Sequence, residues 1–171
     1  MAQLKVNLVN PANRIFPLKK AIRTAKEKLR LAFYENADVT TIIHEYSNFI
    51  YEVLGVAWDE FKWIENDKSW RKSRISLLAV GGFGRKELLP HSDIDILILL
   101  ERDDVRLNKD NIQSFVALLW DVGLNVGHSV RSLRDCKREA LSDVTSLTSM
   151  TEARVIRGKS VLLDKLNALL Q

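Results

Sequence analysis

Between Ile75 and Leu100 the chain carries two short apolar runs, Ile75–Val80 and Ile94–Leu100, the first stopped by Gly81-Gly82 and the second by charged residues. Runs this short, bounded by glycine and charge, read as strands buried on both faces. The second run opens with two acids, Asp93 and Asp95. Successive strand residues point to opposite faces, so these two carboxylates project together while Ile94, Ile96 and Ile98 project the other way. Left alone at the end of a buried strand, the pair would lose hydration and repel, which favours uptake of a proton or a cation. A hard cation such as Mg²⁺, which takes carboxylate and phosphate oxygens, answers that need, and two such ions about 4 Å apart can activate a hydroxyl and stabilise a leaving pyrophosphate.

The glycine pair ahead of the acids ends the first strand where a bulky side chain would block a ligand. The segment Arg85–Leu89 is expected to form a short helix whose amides face a triphosphate, with Arg85 and Lys86 adding mobile positive charge. Elsewhere the apolar spacing predicts a helix from Pro17 through Phe33, a longer one over Val39–Glu65 with Gly55 marking a bend, and another over Asn111–Val122 closed by Gly123. A third strand fits in NVGHSVRSL, before Ser132 and Asp135, which make a capping box. Two final helices are expected at Asp143–Arg157, stopped by Gly158, and at Val161–Leu170, capped by Ser160. This order describes an α+β unit, a small sheet with helices packed on it, with an N-terminal helical segment over 1–72 and a core over 73–171. The chain ends inside a helical pattern, as a fragment of a longer protein would.

Charge does not choose the partner. The 26 basic residues exceed the 22 acids by only four and are scattered among them. Cys136 is the sole cysteine, which excludes an internal disulfide and a zinc cluster and suits a reducing cytoplasmic setting. No stretch of about 18 apolar residues occurs, so no membrane span is expected. An aromatic-and-basic strand pattern and a recognition-helix motif are both lacking, which argues against nucleic acid as partner.

A strand, Gly-Gly, ten residues, Asp-Ile-Asp and a second strand, in that order, resemble the nucleotidyltransferase superfamily with a DNA polymerase beta-like core. Within it, GGFGRKELLPHSDIDILIL and LLWDVGLNVGHSVRSL resemble the N-terminal domain of the bifunctional uridylyltransferase/uridylyl-removing family that modifies the PII nitrogen-signalling protein. The resemblance implies that Gly81 and Gly82 shape a triphosphate loop, that Asp93 and Asp95 hold Mg²⁺ as the catalytic acids, and that Arg85 and Ser92 touch phosphates. It implies attack of a tyrosine hydroxyl of PII on the α-phosphate of UTP, releasing pyrophosphate. The superfamily's third acid, on a neighbouring strand, has no counterpart in NVGHSVRSL, which leaves the base unassigned. HD and ACT domains, found elsewhere in that family, have no counterpart here, so UMP removal and a glutamine response are not expected.

Other residues carry two readings each. His91 and His128 lie near the motif and suit a phosphate contact or a base, though a lone histidine is more often a hydrogen-bonded structural group. Arg131 suits the triphosphate or the partner protein, with Arg134 and Lys137 beyond it on a solvated face. Thr145, Ser146, Thr148 and Ser149 suit ribose or phosphate, or bonds to their own helix backbone. Trp58, Trp63, Trp70 and Trp120 read as core or contact residues. Two alternative functions stay open: a related transferase acting on glutamine synthetase or a small molecule, and a non-catalytic nucleotide-binding regulatory module.

Overall fold

The computed structural model describes residues 15–64, 74–102 and 105–171. Four strands form one mixed sheet: β1 (Ile75–Ala79), β2 (Ile94–Leu100), β3 (Val126–Ser132) and β4 (Arg154–Gly158), in spatial order β3-β2-β1-β4. β1 is antiparallel to both β2 and β4, while β2 and β3 run parallel. A parallel pair needs a crossover. Here it is α4 (Val105–Asp121).

Strand alternation sends the two faces of the sheet into separate cores. Ile75, Leu77, Ala79, Ile94, Ile96 and Ile98 meet α1 (Ile15–Tyr34), α2 (Val39–Trp58) and α4 on one side. Leu78, Val80, Leu97 and Leu99 meet Cys136 of α5 (Leu133–Ser142), Met150 of α6 (Val144–Thr151), and Leu162 and Leu166 of α7 (Ser160–Leu170) on the other. Both central strands are therefore buried throughout, except at Asp95. Among the described residues no helix is long and apolar enough to cross a membrane.

Local chemistry sets several boundaries. Asp38 caps α2 by accepting from the Thr41 amide at 2.8 Å. Ser132 and Asp135 form a complete capping box on α5. Asp143 accepts from the amides of Thr145 and Ser146 to start α6. α2 stops at Trp58 rather than running to Glu65, which lies outside the described residues. Its apolar pattern continues because Phe61 and Trp63 fold back on the core, Trp63 stacking on Trp58 with ring centroids 3.6 Å apart. Gly55 marks no helix end; the Arg157 guanidinium lies against it, 2.4 Å from where a Cβ would sit.

The helix expected over Asp143–Arg157 is instead α6 followed by β4. Arg154–Gly158 pairs with β1 through a bulge between Leu77 and Leu78. Gly158, at φ +100°, turns the chain where a side chain would strike the Ile75 carbonyl and Ser76. α7 begins at Ser160, and its cap residue is Lys159, without a side-chain bond. Phe33 at the end of α1 and Trp120 at the end of α4 are both exposed. Trp70 and the boundary expected between 72 and 73 lie outside the described residues.

Phe115 is fully buried beneath Trp58, Phe61 and Trp63, at ring-centroid distances of 5.2 to 6.0 Å. Phe115→Ala is expected to cost about 3–5 kcal/mol, read as a lower midpoint in urea denaturation.

Candidate active site

The acids stand at the mouth of β2. Asp93 immediately precedes the strand, and Asp95 is its one exposed position. Burial, and then the neighbouring Asp93 charge, push the Asp95 carboxyl above its usual range. Asp95 therefore feels Asp93, as the i, i+2 spacing requires. The Asn125 side-chain amide donates to Asp93 Oδ1, which fixes one oxygen of that carboxylate. The backbone joins the same two segments, since Ile94 N–H donates to the Asn125 carbonyl at 2.9 Å.

The glycine turn lies beside this pair. Val80 N–H donates to the Asp95 carbonyl at 3.1 Å, so the end of β1 is tied to the acid's own backbone. Gly81 takes φ +56°, and a Cβ there would sit 3.9 Å from Asp95 Oδ2 and 3.5 Å from Ser149 Oγ. The short helix forms on the glycines themselves, as α3 (Gly81–Gly84), rather than over Arg85–Leu89. Val80 ahead of it is extended, and the Gly84 amide donates to the Val80 carbonyl at 3.1 Å, which leaves the first three amides of the turn without a partner inside it.

Two contacts hold α3 from below, and neither was legible from the motif. A Cβ on Gly84 would lie 2.1 Å from the Glu152 carbonyl oxygen, so only glycine lets α3 pack on the end of α6. Arg154 donates to the carbonyls of Gly84 and Phe83 at 3.3 and 3.4 Å, with its guanidinium 4.6 Å above the Tyr51 ring. Tyr51 in turn donates to the Val155 carbonyl at 2.8 Å. β4 thus braces the turn from the sheet edge while α2 braces β4.

β3 explains the missing third acid. The residue paired with Asp95 is Gly127, and a Cβ there would come within 2.6 Å of Asp95 Oδ1. The Asp95 carboxylate occupies the space that a side chain at 127 would need. Ser129 and Arg131 follow on the same face, since they pair with Leu97 and Leu99. Arg131 stands four residues beyond Gly127, about 13 Å along the strand, and its guanidinium pairs with Glu139 of α5 at 3.5 Å. It is not among the groups gathered at the acids. His128 pairs with Ile96 and so faces the opposite side, with Trp120 edge-on to it at 5.9 Å.

Arg85 leaves α3 as its C-cap and is shared between Glu87, at 2.7 Å, and Glu152, at 2.5 Å. Half exposed, it reaches a phosphate only by exchanging one of these partners. Ser92 is exposed beside Asp93, with its amide donating to the Leu89 carbonyl at 3.1 Å. In α6, Thr148 bonds the Val144 carbonyl and Thr145 lies in the capped first turn. Ser149 alone of the four hydroxyl residues is placed against Gly81. Cys136, buried, has its thiol pushed up to about 11, which keeps it protonated and unreactive.

A divalent cation fits this arrangement: a partly desolvated acid pair at the edge of a buried strand, flanked by two glycines where side chains would intrude. Asp93 and Asp95 are the residues that could hold it. Because folding raises the Asp95 pKa, the metal-free protein gains stability from this group as the pH falls through the folded-state value and loses it as the pH rises past that value. Asp95→Asn removes the desolvated charge. It is expected to raise the melting temperature in metal-free neutral buffer by on the order of 2 °C and to flatten the pH dependence of melting in the acid range, checked by calorimetry with chelator present.

Residues 61–139 match the family model described as a nucleotidyltransferase domain. Over 164 residues, 96% of this chain, the sequence is 42% identical to the bifunctional uridylyltransferase/uridylyl-removing enzymes of Pseudomonas savastanoi pv. phaseolicola and Pseudomonas fluorescens (strain SBW25), and 40% identical to that of Azotobacter vinelandii. The chain spans 18% of the length of each of these relatives. Motif, sheet and sequence agree: residues 61–139 match a nucleotidyltransferase domain, and the chain is similar to the part of the bifunctional uridylyltransferase/uridylyl-removing enzymes that it spans.

Proposed function

We propose that this domain transfers UMP from UTP to a tyrosine hydroxyl of the PII nitrogen-signalling protein, with release of pyrophosphate, in the cytoplasm and with Mg²⁺ as cofactor. The observation that carries the reading is the juxtaposition of Gly81 with the Asp93/Asp95 pair, which sets a backbone cradle beside paired carboxylates. Bound Mg²⁺ would supply charge neutralisation of the triphosphate and a lowered pKa for an attacking hydroxyl. The protein's own groups do the rest. Asp93 and Asp95 fix the position of the nucleotide tail by holding its counter-ion, and Asn125 keeps Asp93 from rotating. The first-turn amides of α3 face the phosphates, and the absence of a side chain at Gly81 lets them approach. Arg85 exchanges Glu87 or Glu152 for a phosphate oxygen, and Ser92 lies beside Asp93 to add a hydroxyl. Transition-state charge is spread over fixed donors without a covalent enzyme intermediate.

Gly127, in the place beside Asp95, favours one second reading, a domain that binds the nucleotide for regulation without transferring it. Mass spectrometry of a PII protein after incubation with this chain, Mg²⁺ and UTP separates the two. A gain of one UMP per subunit supports transfer, and UTP binding without any mass gain supports the regulatory reading. Labelled ATP and glutamine synthetase in the same assay cover the related-transferase alternative.

The double substitution Asp93→Asn/Asp95→Asn is expected to abolish Mg·UTP binding in isothermal titration; unchanged affinity would remove the site from consideration. Gly127→Ala is expected to push the Asp95 carboxylate aside and weaken Mg·UTP about tenfold, with little change in melting temperature because the displaced atom ends a flexible side chain.

A further inference from the structure

Upstream of the acids, α1, α2 and the Leu89–His91 segment enclose an open groove of about 920 Å³ that none of the chemistry above uses. Its floor and walls are apolar, with Phe33, Val39 and Leu89 leaving 58%, 51% and 49% of their surface exposed. Its rim is basic. α1 carries six Lys and Arg residues against the single acid Glu27, which Arg30 neutralises at 2.7 Å. Arg23, Lys26 and Lys28 line the groove and make no ion pair among the described residues. His91, at its inner end, is two residues from Asp93, so groove and acids lie within about 7 Å of each other along the chain.

An apolar floor with an unneutralised cationic rim selects a partner whose surface has the complementary pattern, apolar side chains flanked by carboxylates. A triphosphate is unsuited to an apolar floor. A second copy of this chain meeting α1 to α1 would bring like charges together. We infer that this groove is the docking surface for the protein acceptor of the transfer reaction, receiving an acidic, apolar segment of that protein so that its hydroxyl is delivered past His91 to Asp93 and Asp95. The inference rests on the proposed protein-directed transfer, and it assigns recognition to α1 and α2, outside the residues that hold the nucleotide.

Fluorescence anisotropy of a labelled PII protein titrated with this chain tests docking without requiring turnover. Arg23→Glu/Lys28→Glu and, separately, Phe33→Ala alter exposed positions outside the nucleotide site. The charge reversal is expected to weaken PII binding by about tenfold or more and to lose much of its salt dependence, and Phe33→Ala to weaken it several-fold. Melting temperature and Mg·UTP affinity should stay at their starting values. The control Arg106→Glu/Lys109→Glu, on α4 and outside the groove, should change binding by no more than about twofold. Unchanged binding in the groove variants, an equal loss in the control, or no PII binding by the unaltered chain would each overturn the docking assignment. Binding that responds to the groove variants, together with no mass gain on PII, would leave the docking surface standing and defeat the transfer reaction.

Discussion

The crowding of the Asp95 carboxylate between two glycines is the constraint on which this molecule turns. Gly81 approaches from the end of β1 and Gly127 from the parallel neighbour β3, and at each a methyl group would lie within 4 Å of a carboxylate oxygen. The backbone of Asp95 is held by the bond from the Val80 amide and by pairing with Gly127, so only its side chain can yield. The result is an acid held partly out of water beside a second acid, an arrangement that costs free energy until a positive charge arrives. Such local cost persists only where the surrounding packing over-determines it, and here two separate cores on either side of the sheet do so.

The bracing of the glycine turn follows the same logic at longer range. α3 is a single turn and has no core of its own, so its geometry is imposed by what touches it: Gly84 on the α6 terminus, Arg154 across its carbonyls, and Tyr51 beneath Arg154. This chain of contacts runs from α2 through β4 to the site. It ties α2 to the chemistry through Tyr51.

Much of this was legible beforehand, for identifiable reasons. β1 and β2 stand out because both faces are buried, which writes each as an unbroken apolar run, and the acids stand out because they interrupt that rule. β3 and the capping box at Ser132 were equally readable. β4 was not, because RVIRG carries two arginines at half-buried positions and follows helix α6 without glycine or proline between them. Its pairing with β1 is a long-range fact that no local pattern carries. α2 was read too long because Phe61, Trp63 and Ile64 keep helical spacing while the chain has already turned. Within the site, Gly81 lies beside the Asp93/Asp95 pair, whereas Gly84, Gly127 and Ser149 do not announce themselves: each matters through a neighbour distant in sequence. Arg131, which suits the triphosphate or the partner protein by sequence, pairs with Glu139 of α5.

Arg154 also imposes an order of assembly. It lies about 60 residues after the acids in the chain, so during synthesis the glycine turn and the Asp pair emerge well before the strand that clamps them. A nascent chain ending before β4 would display β1 as an open edge and leave α3 without its cationic brace. Competence therefore arrives late, when Arg154–Gly158 pairs with β1 and becomes the sheet's edge strand beneath the site.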